Sequence, residues 1–152
     1  MRFLERSTEI FLIACVAAMI VVVFGQVVMR YGLQDVPPWT EELARMIFTW
    51  IIFVGAAVAY RRKAHIVIDL VVSRITGTSR RVVDTVILIA IAVFLGFALV
   101  QAIHSMWLAR ADLSPVMQIS MPLLHLPLPA GTAIMLIYVL ADLWRNLAAV
   151  RG

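Results

Sequence analysis

The chain has 152 residues, of which 63% are hydrophobic and 14% charged, and its net charge is +4. Soluble domains carry roughly 25% charged residues, and a soluble fold of this length has too little interior for so many apolar side chains. Composition therefore excludes a soluble globular domain and predicts an integral membrane protein whose basic residues, which flank apolar runs, meet anionic membrane lipids and not nucleic acid.

Residues 1–9 are polar and mixed in charge, and 10–29 form an apolar run interrupted only by Gly25 and Gln26. Twenty helical residues span roughly 30 Å, the thickness of the hydrocarbon core. Ala14 and Ala18 are four apart, which predicts close approach of a neighbouring helix. The single cysteine, Cys15, excludes an internal disulfide. The stretch 12–15 resembles a lipoprotein cleavage box, but too short an apolar run precedes it for a signal peptide.

After the turn 30–38, Pro37 or Pro38 starts a second helix, because a first-turn residue needs no amide hydrogen bond. Glu41 and Glu42 then fall in its first turn, beside the positive end of the helix dipole. Arg45 is at i+4 from Glu41 and i+3 from Glu42, so either can pair with it. The run continues over 40–60, with Gly55 and Ala59 as a second small-residue seam.

Residues 61–81 form a basic connector containing Arg61, Arg62, Lys63, Arg74, Arg80 and Arg81. Its middle, about 65–76, is too short to span and is expected to lie amphipathically in the headgroup plane. His65 and Asp69, four apart there, suit a helical contact or a pairing with a partner subunit. The third helix is expected over 82–109, with Ala92 and Gly96 as a third seam. Residues 110–129, with four prolines and many aliphatic side chains, read as an apolar loop that lies on the membrane or under a partner. The last helix is expected over 130–144, anchored by Trp144 and Arg145.

The fold expected is thus an all-α membrane protein, a single domain over 1–152. It has four transmembrane helices (10–29, 40–60, 82–109, 130–144) and an interfacial segment in the cytoplasmic connector. Of the thirteen basic residues, ten lie on the side of the termini and three on the other. The positive-inside rule then puts both termini in the cytoplasm.

The apolar runs hold no Asp, Glu, Lys, Arg or His near their middles, where ion- or proton-coupled transporters keep ionisable groups. No phosphate loop, zinc spacing or nucleophile elbow is present, and no enzyme and no cofactor are expected. Two alternatives remain open at this point. One is a small redox subunit with b-type haem between His104 and another histidine such as His125. The other is a self-sufficient small transporter acting as a homo-oligomer.

The central stretch carries a resemblance. Arg30-Tyr31, Trp39-Thr40-Glu41-Glu42-Leu43, Arg45, Phe48, Trp50, Phe53, Gly55-Ala56, Arg61, His65-Ile66 and Asp69 resemble the pattern of the DctQ family. These are the small membrane subunits of tripartite ATP-independent periplasmic (TRAP) transporters of the bacterial inner membrane. Pro122, Pro127 and Gly131 are similar to the family's proline-punctuated approach to its last helix. The resemblance implies a non-catalytic scaffold subunit. Its partners would be a separate large permease subunit and a periplasmic solute-binding protein, in sodium-gradient-driven uptake of an organic anion such as a carboxylate. Trp39, Glu41, Glu42, Arg45, Trp50, Gly55, Arg61, His65 and Asp69 are the implied subunit-interface or anchoring residues.

Overall fold

A computed structural model describes residues 2–33, 35–62 and 78–151, with side chains described over 6–32, 35–62 and 82–148. The predicted interfacial segment, with His65 and Asp69, lies outside the described residues.

Five α-helices make up the described chain: α1 Arg2–Val28, α2 Pro38–Arg61, α3 Thr78–Leu108, α4 Met121–His125 and α5 Pro127–Arg151. A π-helical turn, Met29–Leu33, ends α1, and a 3-10 turn, Ala109–Ala111, ends α3. The long helices outrun the apolar windows that predict them. Hydrophobicity locates what lies in hydrocarbon, whereas backbone hydrogen bonding carries the helix on through polar flanks such as 2–9. Four stretches are long and apolar enough to cross a membrane: Arg6–Gly32, Pro38–Arg61, Val82–Ala111 and Met121–Ala148. The chain is an all-α multi-pass membrane protein.

Prolines set two helix starts. Pro37 is the N-cap of α2 and Pro38 its first residue. The Thr40 hydroxyl donates to the Pro37 carbonyl at 2.8 Å. At the other start, Pro127 and Pro129 stand inside the first turn of α5, not in a loop before it. The missing amide hydrogens cost nothing there, because first-turn amides have no intrahelical acceptor. Only Leu126 separates α4 from α5, and its carbonyl accepts from the Ala130 N–H at 3.1 Å.

In space the helices run α1, α2, α5, α3: α1 packs on α2, α2 on α5 and α5 on α3. The core accordingly sits between the middle pair and α3, at Val54, Ala57, Val58, Leu95, Ala102, Tyr138 and Val139. The flanking helices turn large apolar side chains outward, among them Ile13, Val21 and Phe24 on α1 and Val93, Phe94 and Phe97 on α3. In water such faces would be untenable, and in a bilayer they meet hydrocarbon or another apolar chain.

The small-residue seams differ from the expectation. Gly55 does face α1, with Leu12 Cδ1 3.7 Å from where its β-carbon would stand. Ala14, Ala18 and Ala59 are exposed, and nothing comes within 4 Å of a β-carbon at Gly96. The tightest crossing is instead Gly131 of α5 against Phe53 of α2. Four-residue spacing marks one face of a helix, but the face that meets a neighbour is set by the whole bundle.

Candidate functional site

The chain's polar side chains collect at the two ends of the bundle. One end, the loop end, holds the start of α2 and the segment between α3 and α4. The other, the terminal end, holds the start of α1 and the end of α5.

At the loop end, residues 112–121 form a small hairpin. Leu113 and Ser120 make an isolated antiparallel bridge. The Ser114 N–H donates to the Ile119 carbonyl at 2.8 Å, and the Met121 N–H to the Asp112 carbonyl at 3.0 Å. The reversal needs Gln118 at φ 54°, and its side-chain amide donates to the Ser114 carbonyl at 3.1 Å. Aliphatic composition predicts an apolar loop that lies on the membrane or under a partner, and the structure adds that its backbone is closed on itself and tied to α2.

That tie is Glu42. Its side chain is buried, and Oε2 accepts from the Met117 N–H at 2.8 Å. The Val116 N–H and the Ser114 hydroxyl also donate to this carboxylate. Ser114 is fully buried, and its Oγ accepts in turn from the Ile119 N–H at 3.3 Å. A carboxylate has room for several donors, so one side chain satisfies backbone groups that the tight turn leaves without partners.

Glu41, one residue earlier, is rotated about 100° around the helix and does something different. It pairs with Arg45 at 3.7 Å, and both side chains are largely exposed, at 80% and 73%. Such a pair stabilises by only about 0–1 kcal/mol. Of the two acids that could have paired with Arg45, Glu41 forms the ion pair and Glu42 turns to the hairpin. Between Pro38, Glu41 and Arg45 on one side and Pro115, Met121 and Leu124 on the other lies an open pocket of about 300 Å³. Trp39, in the first turn of α2, is 45% exposed.

At the terminal end, Arg61 reaches α5. Its guanidinium lies 3.9 Å from Asp142 Oδ1 and 6.0 Å from the centroid of the Tyr138 ring. Asp142 also meets Arg145 at 3.5 Å and accepts from the Tyr60 hydroxyl. Arg62 binds Glu9 of α1 through Nε at 3.2 Å and Nη2 at 3.0 Å. Asn146 donates to the Thr85 hydroxyl at 3.1 Å, joining α5 to α3. The start of the basic connector thus holds neighbouring helices together.

Trp50 packs edge-on against Phe11 of α1, with ring centroids 5.3 Å apart, so it serves the α1–α2 contact. His104 is exposed near the end of α3, and His125 is half-buried in α4. Among the described residues no group of three or more His, Cys, Asp or Glu could hold a metal ion. Sequence reasoning missed Ser114 and the partnership of Arg61 with Tyr138 and Asp142. Asp142, a charge ending an apolar run, was the one signal available for the second.

Comparison with known proteins gives this arrangement a context. The family of "Tripartite ATP-independent periplasmic transporters, DctQ component" matches residues 19–149. The sialic acid TRAP transporter small permease protein SiaQ of Vibrio cholerae is 29% identical over 65% of this chain and 57% of its own length. The C4-dicarboxylate TRAP transporter small permease protein DctQ of the same organism is 33% identical over 65% of this chain and 42% of its own. The isethionate TRAP transporter permease protein DctMQ of Oleidesulfovibrio alaskensis is 27% identical over 88% of this chain and 22% of its own. The matched chain thus spans about half the length of the two small permease proteins and about a fifth of DctMQ. With a family match running from within α1 to nearly the end of α5, over four helices long and apolar enough to span a membrane, this chain belongs to the DctQ family of TRAP transporter small membrane subunits.

Proposed function

We propose that this chain is the bracing subunit of a three-component uptake system of the bacterial inner membrane. It would work with a large permease subunit, which carries the solute, and with a periplasmic solute-binding protein. The observation that carries this reading is the absence of charge along the bundle's middle. Between 10–29, 46–60, 86–103 and 126–141 the sequence has no Asp, Glu, Lys, Arg or His. A chain moving a polar solute by itself needs polar or ionisable groups at mid-membrane. Exposed apolar faces on α1 and α3 suit a brace bounded by lipid and by another membrane protein.

The distribution of the relatives supports the partnership. The DctMQ relative contains a DctQ-like stretch in about a fifth of its length, leaving most of that permease chain for a second component. The named cargoes, sialic acid, C4-dicarboxylate and isethionate, are organic anions and two are carboxylates, so an organic anion is the proposed cargo class. A sodium gradient would drive the uptake. The loop end faces the periplasm and both termini face the cytoplasm, in keeping with ten basic residues at the terminal side against three.

The test is reconstitution of a large TRAP permease subunit and a solute-binding receptor from this chain's own organism into liposomes under an inward sodium gradient. Uptake of the receptor's ligand is expected only when this chain is included. Full uptake by permease and receptor alone would remove the proposal.

A further inference from the structure

The outward side of α3 carries a helix-packing repeat that the bundle leaves exposed. α3 packs on α5 and turns Leu95 and Ala102 inward, 7% and 2% exposed. Rotated away from these, Ala90, Phe94, Phe97, Gln101, His104 and Leu108 are all exposed. They recur at alternating steps of four and three, the spacing by which one helix lies along another. Gln101 interrupts this seam at depth. Trp107, 64% exposed with the Arg110 guanidinium 4.3 Å from its ring centroid, marks the interface at the loop end. Gln101 lies six positions, roughly 9 Å, further in. Its carboxamide has donors and an acceptor but no hydrogen bond among the described residues, and hydrocarbon offers it none. By contrast α1, at the opposite edge of the row, exposes only apolar side chains between Ile10 and Val28. Lipid is therefore a sufficient neighbour for α1 and an insufficient one for this face of α3.

We propose that this face of α3 is the seam along which a membrane helix of the large permease subunit lies, with Gln101 hydrogen-bonded to a polar side chain of that helix and fixing its register. This rests on the three-component reading above. A lone polar residue in an apolar seam sets register, because any other alignment leaves it without a partner. The seam does not suit a second copy of this chain. About a two-fold axis Phe94 would face Phe94 and Phe97 would face Phe97, and facing rings hold helices apart where small residues let them close. The rings call for small side chains opposite them and Gln101 for a polar one, which is a complementary surface and not an identical one. The permease is the other membrane-embedded component of that reading. In the DctMQ relative the stretch matching this chain is about a fifth of one permease chain. In this role Gln101 acts on assembly and not on the solute.

Two readouts test this, with the full chain in membranes beside the large permease subunit of its own organism. The first replaces Phe97 in the seam by the photoreactive p-benzoylphenylalanine or, as control, Phe24 on α1, which are 65% and 68% exposed. Position 97 is expected to crosslink to the permease and position 24 to lipid. The second is the permease concentration at which half of the chain is bound. Gln101→Leu keeps the size of the side chain but loses the carboxamide, and should raise that concentration about threefold to tenfold. Gln101→Asn keeps the carboxamide on a shorter stem and should fall between wild type and leucine. Because Gln101 stands outside the core, thermal unfolding of the chain alone should not move in either variant, which separates assembly from folding.

Crosslinks from position 97 to lipid alone, or to a second copy of this chain, would overturn the seam, as would permease product formed equally from position 24. An unchanged half-binding concentration in Gln101→Leu would overturn the register lock, and so would a loss accompanied by a lowered unfolding temperature. If the wild-type chain binds no permease at all, the three-component reading itself is what fails.

Discussion

A β-carbon added at Gly131 would stand 2.5 Å from the Phe53 β-carbon, and 2.7 Å from the Phe53 carbonyl carbon and oxygen. Glycine at 131 therefore sets how closely α5 approaches α2, the two helices at the centre of the array. Between membrane helices hydrophobicity drives little association, so this fit of backbone on side chain is what packing can offer.

Gly131→Ala is expected to destabilise the folded chain by about 1–3 kcal/mol, the usual range for overpacking. Thermal unfolding in detergent measures it. Phe53→Ala should not rescue the substitution, because two of the three crowding atoms belong to the Phe53 backbone. A double variant as stable as Phe53→Ala alone would show that the crowding is not where the geometry puts it.

Asp142 has three partners on two helices, whereas Arg61 shares that carboxylate with others. Removing the acid should therefore cost more than removing one base. Asp142→Ala is expected to lower stability by about 1–2 kcal/mol and Arg61→Ala by about half that, since both residues of the pair are under a third exposed. Denaturation of the two single variants and the double variant gives the coupling. A coupling energy as large as the whole Asp142→Ala loss would mean that Arg145 and Tyr60 contribute nothing at Asp142.

Gln118 is the one non-glycine residue with positive φ among those described. Gln118→Gly removes the side-chain bond to the Ser114 carbonyl but relaxes the backbone, and its net effect is expected within about 0.5 kcal/mol. A β-branched side chain fits this region poorly, so Gln118→Val should cost about 1–2 kcal/mol. Thermal unfolding of both variants distinguishes them. A valine variant as stable as the glycine one would contradict the assigned backbone.

Particular residues show where sequence reasoning reached and where it stopped. Pro38 announced the start of α2 because the reason is local: a residue without an amide hydrogen fits a first turn. Pro127 and Pro129 obey the same rule but were assigned to a loop, since several prolines in succession also describe a loop. Among the candidates, Trp39, Glu41 and Arg45 do stand exposed at the loop end. Trp50 and Arg61 turn out to be engaged within the chain.

The sequence by itself determined the number of crossings, because lipid imposes its demand on each stretch separately: about twenty apolar residues, every backbone group bonded within the helix. It also determined that the middles of the four apolar runs carry no Asp, Glu, Lys, Arg or His. Tertiary structure alone decided that Glu42 is enclosed while adjacent Glu41 is not, and that Gly131 makes the close crossing while Gly96 makes none. Glu42 finds its partner 75 positions away, at Met117. Which of two neighbouring acids meets it depends on how α2 is rotated against the rest of the bundle, and that rotation is a property of all the helices packed together.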